Sequence, residues 1–382
     1  MKPRPEWLDR IEANWKSRNV IWLYGVRRSG KTTLCRSIPG VVYLDCELPS
    51  VRRRLADPEA FLEDHAGRRV ALDEIHRLYN PSELLKVAAD HFPSVRIIAT
   101  GSSSLGALRQ FRDTLAGRKS EIWLTPMTHR DLAAFGSRAL RERLLRGGLP
   151  QFFLAENPTE ADYQEWVDAY WSRDIAELFR VERRGSFLRF TEMLLAASGG
   201  IFEASRYAAA CEVSRQTITN YLIILSDTRV AHVIRPFTTR KPTEIVSAPK
   251  VYGFDTGFVA RWKGWDSLRP EDLGQLWEQY VLNELQADPT PRTIGYWRDK
   301  SGHEVDFVLA TPRNAPTAIE CKWQAAEFDP GNLAIFRKKY PEGANLVVAQ
   351  DADHPYRRRM AGVMVEFIGI GDLPGRLPAS SG

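Results

Sequence analysis

Cysteine is scarce in this chain: four in 382 residues, Cys35, Cys46, Cys211 and Cys321. They are widely scattered, with no CxxC pair and no histidine at zinc spacing, which excludes a disulfide framework and a zinc finger. Reduced, structural thiols in a cytoplasm are the expectation. Long apolar runs are missing as well: no stretch approaches the roughly 20 residues that a membrane-spanning helix needs, so no membrane partner is expected. The segment Met1-Lys2-Pro3-Arg4-Pro5-Glu6-Trp7 lacks the apolar core of a secretion signal. No repeat period emerges, which sets solenoids aside. Nor does one sign of charge dominate. A net charge of +5 and a pI of about 9.0 permit nucleic acid without demanding it.

The character of the chain changes along its length, which is enough for several separate cores. Over residues 1–135, strands alternate with helical segments, the pattern of a parallel α/β domain. Residues 136–185 read as a helical lid or connector, and 186–245 as shorter helices running into a hairpin. Mixed α/β returns over 250–372, after Pro236, Pro242 and Pro249, and 373–382 reads as a loose tail.

The sharpest feature is Gly25-Val26-Arg27-Arg28-Ser29-Gly30-Lys31-Thr32, which fits GxxxxGK[ST] at every fixed position. The apolar run Asn19–Tyr24 before it predicts a buried strand, and Thr33–Ile38 after it can open a helix. In such a loop, backbone N–H groups and the positive helix end face an anion. The candidate nucleotide contacts are Gly25, Arg28, Ser29, Gly30, Lys31, Thr32 and Thr33. Lys31 would reach the β- and γ-phosphates of ATP, and the Thr32 hydroxyl would hold Mg²⁺. Arg69–Glu74 is an apolar strand tipped by two acids, 42 positions beyond Lys31. Asp73 is the second Mg²⁺ candidate, and Glu74 the base for an attacking water. Val95–Thr100 runs into Gly101-Ser102-Ser103-Ser104, where Thr100 and Ser102 can sense the γ-phosphate. Arg118 is a candidate arginine finger, acting in a neighbouring copy if the chain is a homo-oligomer.

Taken in this order, these elements resemble the AAA-plus-like ATPases of a widespread prokaryotic family with a C-terminal domain of unknown function. Further matching segments are Leu124-Thr125-Pro126, Arg130-Asp131-Leu132, Gly147-Gly148-Leu149-Pro150, Tyr252–Gly257 and Trp297–Lys300. The resemblance covers nearly the whole chain and implies an ATPase core built on a parallel sheet. It supplies no substrate, and it hints at ring-like assemblies.

Two further constellations bear on nucleic acid. Ala204–Cys211 is a small-residue helix followed by a turn, and Ser214 caps a second helix, Arg215–Ser226. Ile218, Leu222 and Leu225 share one face, which leaves Arg215, Gln216, Thr217 and Asn220 to meet a DNA groove. With the β-like run Val230–Phe237 and the tip Thr238–Lys241, this looks like a winged helix, a module that also serves for protein docking. Farther on, Asp306 lies in Glu304–Leu309, and Glu320 and Lys322 lie in Thr317–Trp323, giving D-x(13)-E-x-K. Strand alternation puts Glu320 and Lys322 on one face. The helix Gly274–Leu282 carries Glu278. The set resembles the PD-(D/E)xK nuclease superfamily, in a layout like that of Holliday-junction resolvases, without the leading proline. The resemblance implies metal at Glu278, Asp306 and Glu320 (Mg²⁺ or Mn²⁺), Lys322 as the catalytic ammonium, and branched DNA as substrate. His303 reads as a surface or supporting residue.

The combined expectation is an α/β ATPase core, a helical lid, a winged helix and a nuclease-like domain acting together in ATP-dependent DNA processing. A nucleotide-operated switch that binds protein partners, with a non-catalytic nuclease-like domain, is the alternative. A small-molecule kinase is disfavoured, because Asp73-Glu74 suits water rather than an acceptor hydroxyl.

Overall fold

The computed structural model describes residues 4–101, 115–136, 139–176, 179, 181–239, 248–290, 292–311 and 314–378. The chain folds as two compact units. One comprises Met1–Arg138, Leu149–Arg184 and Ile223–Val230, and the other Ala139–Gly148, Gly185–Leu222 and Ala231–Gly382. The stretch 136–185, expected to be a helical lid or connector, is thus divided between the two.

The first unit is built on five parallel strands: β1 (Val20–Tyr24), β2 (Val41–Asp45), β3 (Arg69–Asp73), β4 (Arg96–Thr100) and β5 (Lys119–Trp123), in the order β2-β3-β4-β1-β5. Val20, Ile21, Trp22 and Leu23 of β1 are all buried, as they must be in a central strand covered on both faces. The helix Pro81–His91 buries Leu84, Leu85 and Ala88 in the same core as Trp22, Leu72 and Ile97. Parallel pairing brings every carboxyl end to one edge. There Gly25 follows β1, Glu74 follows β3, and Thr100 closes β4.

The helix Arg184–Ala196 is followed by β6 (Gly200–Ile201) and the helix Ala204–Ala210, then by the helix Arg215–Asp227, whose residues up to Leu222 belong to the second unit and the rest to the first, and by β7 (Ala231–Pro236) and β8 (Lys250–Gly253) of the second unit. The strands pair antiparallel in the order β6-β8-β7. The Ser214 hydroxyl accepts the Thr217 N–H at 3.1 Å, so the second short helix is capped as its sequence requires. The helix Pro270–Ala287 and strands β9 (Thr293–Arg298), β10 (Glu304–Thr311) and β11 (Asn314–Lys322) come next. They are followed by the helix Gly331–Lys339 and by β12 (Asn345–Ala349), β13 (Tyr356–Met360) and β14 (Val363–Ile368). β7 pairs in parallel with β9, so the two sets of strands merge into one nine-stranded sheet instead of separating near residue 250. Its core gathers Tyr252, Trp277, Tyr280, Phe307, Ile319 and Val348. All four cysteines are buried and unbridged. No described helix is long and apolar enough to cross a membrane.

Candidate functional site

The phosphate loop leaves β1 at Gly25, where only glycine fits: a Cβ there would lie 2.4 Å from the Leu124 carbonyl oxygen. Gly30 has φ +99° and heads the helix Lys31–Arg36, again a glycine conformation. Lys31 is 8% exposed, and its Nζ donates to the carbonyls of Gly25 (2.9 Å) and Val26 (3.1 Å). Burial holds its pKa below the usual lysine value, even with Glu74, Asp174 and Asp73 in the vicinity. The Ser29 hydroxyl is buried with no hydrogen-bond partner. A loop holding a buried ammonium on neutral carbonyls, beside an unpartnered hydroxyl, fits a polyphosphate. Arg28 has φ +61° and reaches Glu165 at 2.6 Å, and Thr33 lies half-buried in the first helical turn.

Asp73 collects three hydroxyl donors. Thr32 Oγ1 donates to its Oδ2 at 2.7 Å and the Tyr43 phenol to the same oxygen at 2.6 Å, while Thr100 Oγ1 donates to Oδ1. The two residues expected to hold Mg²⁺ therefore already touch, and a hard cation with oxygen ligands suits this donor set. Glu74 sits at φ +52°, a strained conformation for a non-glycine residue, and its N–H donates to Thr100 Oγ1 at 3.3 Å. Its carboxylate lies 3.2 Å from His76 Nδ1. Burial works to raise the Glu74 pKa, but His76, Lys31 and Arg27 outweigh it and hold the carboxyl below its usual value. A cleft of about 200 Å³ opens here, lined by Thr32, Tyr43, Asp73, Glu74, His76 and Asp174 together with arginines 27, 36, 77 and 173.

Tyr43, His76 and Asp174 were not anticipated from the sequence. Asp174 comes from a π-helical turn, Trp171–Ile175, a geometry often found at functional sites. Its Oδ2 lies 3.5 Å from Arg27 Nη1, and burial pushes its pKa up to about 6 against the pull of Arg27 and Lys31. Arg118 lies elsewhere. It precedes Lys119, which pairs with Val20 at the start of β1, so roughly 15 Å of strand separates it from its own phosphate loop. Its Nε bonds Asp90 at 2.7 Å. Any contact with phosphate would have to be made in a neighbouring copy. Ser102 lies outside the described residues.

In the second unit, Arg215, Gln216 and Asn220 are exposed and Thr217 is half-buried. Gln216 Nε2 donates to Asn220 Oδ1 at 3.1 Å, so the polar row lies along one face of its helix. The D…ExK residues also come together, but not alone. Lys322 Nζ lies 3.0 Å from Glu320 and 3.9 Å from Asp306, whose Oδ2 accepts the Cys321 N–H at 2.8 Å. Lys250, from β8, reaches into the cluster: its Nζ is 3.2 Å from Glu278 and 2.5 Å from Glu304. Glu278 also accepts the Tyr252 hydroxyl. Burial pushes the Glu320 pKa up to about 8, reinforced by Asp306, and raises that of Glu278 for the same two reasons. For Lys250, burial is outweighed by Glu278, Asp306 and Glu304, which raise its pKa. Among the described residues, no group of three or more His, Cys, Asp or Glu side chains is arranged to hold a metal ion. With two ammonium groups seated among them, these acids do not fit a resident divalent cation as they stand. His303 pairs with Asp299 at 2.8 Å.

Comparison with known proteins places these features. Residues 17–133 match the AAA domain, and 137–269 and 273–369 match two domains of unknown function, DUF8612 and DUF4143. Uncharacterized proteins of Mycobacterium tuberculosis and Mycobacterium bovis are each 32% identical over 303 residues, spanning 76% of this chain and 67% of theirs. The chain belongs to their family. Its first unit carries an AAA-type P-loop ATPase domain. Among solved structures, the Walker-type ATPase PABY2304 of Pyrococcus abyssi is similar over 69% of this chain and 96% of its own, at 17% identity and a TM-score of 0.44.

In this member of the family, two of the matching segments come together, at Gly147-Gly148 and at Asp255-Thr256-Gly257. Asp255 Oδ2 accepts the Gly148 N–H at 2.6 Å, and its Oδ1 accepts those of Gly257 (2.9 Å) and Phe258 (3.4 Å). A Cβ on Gly147 would fall 1.9 Å from that carboxylate, and one on Gly257 would fall 2.3 Å from the Arg146 carbonyl. Arg143 Nη1 donates to Thr256 Oγ1 at 2.9 Å. The glycines are there so that two backbones can meet around a buried carboxylate.

Proposed function

We propose that this protein hydrolyses ATP with Mg²⁺ and couples that turnover to DNA. What carries the reading is Lys31, a buried ammonium resting on carbonyls beside Thr32 and Asp73, which already share a hydrogen bond. The loop amides and Lys31 bind the polyphosphate, and Thr32 and Asp73 hold the cation, which supplies charge neutralisation on the phosphates. Glu74, fixed by Thr100 and His76, takes the proton of the water that attacks the γ-phosphorus as the bond to the ADP oxygen breaks. Thr100 and Ser102 sense the outermost phosphate. Arg118 serves the phosphates of a neighbouring copy, which makes the working form a homo-oligomer. Phosphate release from Mg-ATP tests the core: the wild type turns over, Lys31→Ala does not bind, and Glu74→Gln binds without turnover. Lack of nucleotide binding by the folded wild type would sink it.

The DNA half of the reading is supported by the order helix–strand–helix–helix–strand–strand over residues 184–253, that of a winged helix. The exposed row of Arg215, Gln216 and Asn220 supports it further. A mobility shift and DNA-stimulated ATPase, each at low salt and on linear and branched duplexes, decide it. For the C-terminal domain, the seating of Lys250 favours the second reading, a nuclease-like fold that engages its partner without cutting. Nicking of branched DNA with Mg²⁺ or Mn²⁺, abolished by Asp306→Ala or Lys322→Ala, would instead establish cleavage.

A further inference from the structure

Arg4 lies ahead of residue 17, where the match to the AAA domain begins, yet its side chain ends at the phosphate loop. The residue is 3% exposed. Its Nη2 donates to Oδ2 of Asp131, itself 1% exposed. That carboxylate oxygen also accepts the N–H and the hydroxyl of Thr128, both at 2.9 Å, and the Trp7 indole N–H at 3.3 Å. A buried arginine with one carboxylate commonly pairs through both terminal nitrogens. Here Nη1 turns instead to two backbone carbonyls, Thr125 at 3.0 Å and Ser29 at 3.3 Å.

The second of these contacts has a geometric consequence. Ser29 and Gly30 share a trans peptide, whose C=O and N–H point in opposite directions. Holding the Ser29 carbonyl from one side therefore aims the Gly30 N–H to the other. Glycine at φ +99° resists rotation of that peptide less than any other residue, so an external hold matters most here. We propose that Arg4 and Asp131 are positioning residues for the nucleotide site: Arg4 pins the Ser29 carbonyl and so sets the direction of the Gly30 amide, and Asp131 holds Arg4 in place.

This rests on the nucleotide reading above, and the test keeps the two apart. KM for Mg-ATP, kcat and the melting temperature without nucleotide are measured for Arg4→Met, Asp131→Asn, the double variant and Arg4→Lys. Arg4→Met is expected to raise KM by about tenfold or more with kcat largely kept, since the amide contributes binding common to ground and transition states. The double variant, lacking the unpaired buried charge, should regain melting temperature while its KM stays raised. Arg4→Lys should keep the fold through Asp131 but also raise KM, because one ammonium cannot reproduce the planar fork. If Arg4→Met fails to fold, the double variant and Arg4→Lys carry the same comparison. Should KM recover in step with melting temperature, the pair is only a clamp on the fold and the proposal fails. A wild type that binds no nucleotide removes the nucleotide reading and this proposal with it; a wild type that binds, with Arg4 variants of unchanged KM, removes only this one.

Discussion

Lys31 and Lys250 are buried to nearly the same extent, 8% and 5% exposed, and their charges are treated in opposite ways. Lys31 rests on two neutral carbonyls, and burial depresses its pKa. Lys250 touches Glu278 and Glu304, and the surrounding acids overcome burial and raise its pKa. An ion taken from water without a counter-charge carries a penalty of several kcal/mol. The first unit keeps that deficit at its phosphate loop, where an arriving polyphosphate would remove it. The second unit has already closed its deficit from within. A buried lysine marks an anion site only where its charge is left unmet.

The contrast can be attacked most directly at Lys31. Lys31→Ala should weaken Mg-ATP binding at least about a hundredfold by calorimetry, because the ammonium is the loop's main charge on the outer phosphates. Glu74→Gln should keep that affinity while phosphate release falls by roughly 10²–10⁴, the usual worth of a general base. Binding that survives in Lys31→Ala would end the claim that its charge is reserved for a ligand.

Lys250→Met comes next. Leaving Glu278 without its cation, and Glu304 with only Arg298 at 3.7 Å, should lower unfolding free energy in urea by about 3–5 kcal/mol, the range for breaking a buried pair. Added Mn²⁺ should restore part of the loss in the variant and do little for the wild type. A variant as stable as its parent would mean that the acids never needed Lys250, and the two lysines would no longer differ in kind.

Acid–base behaviour sharpens the same point. Glu320 has its folded pKa raised to about 8, against about 4.3 unfolded, so the native state holds the proton more tightly. Its contribution to stability is therefore fully present below about pH 4 and is lost as pH rises through about 8. Glu320→Gln should flatten the melting-temperature profile between pH 5 and 9; an unchanged slope would exclude Glu320 as its source.

The smallest effect is expected at the exposed helix. Arg215→Ala and Asn220→Ala should each weaken duplex binding by about three- to tenfold at low salt. Arg215→Ala should also reduce the salt slope by about one unit, as for loss of a single phosphate contact. Equal affinity in all three proteins would turn attention from DNA to a protein partner.

The sequence could be read wherever function is local. The phosphate loop is eight consecutive residues whose chemistry requires glycine, lysine and a hydroxyl at set places. That Asp73 and Thr100 would lie beside the loop could be read because parallel strands deliver their carboxyl ends to one edge. For Arg118 the sequence left open whose phosphates it would meet, and register decided against its own, because Lys119 pairs with Val20 at the far end of β1. Tyr43, His76 and Asp174 gave no pattern to read, since each is an ordinary residue until packing brings it to the cleft. Likewise, D…ExK was legible as spacing, whereas the ammonium from β8 that sits among those acids was not.

What the sequence by itself determined is the kind of chemistry at the phosphate loop, because short-range covalent spacing dictates which amides and hydroxyls can face one anion. Only the tertiary structure decided which charges are met and which are not. That balance depends on side chains far apart in the chain, such as Arg4 and Ser29 or Lys250 and Glu304, and on the low-dielectric interior in which their distances count most.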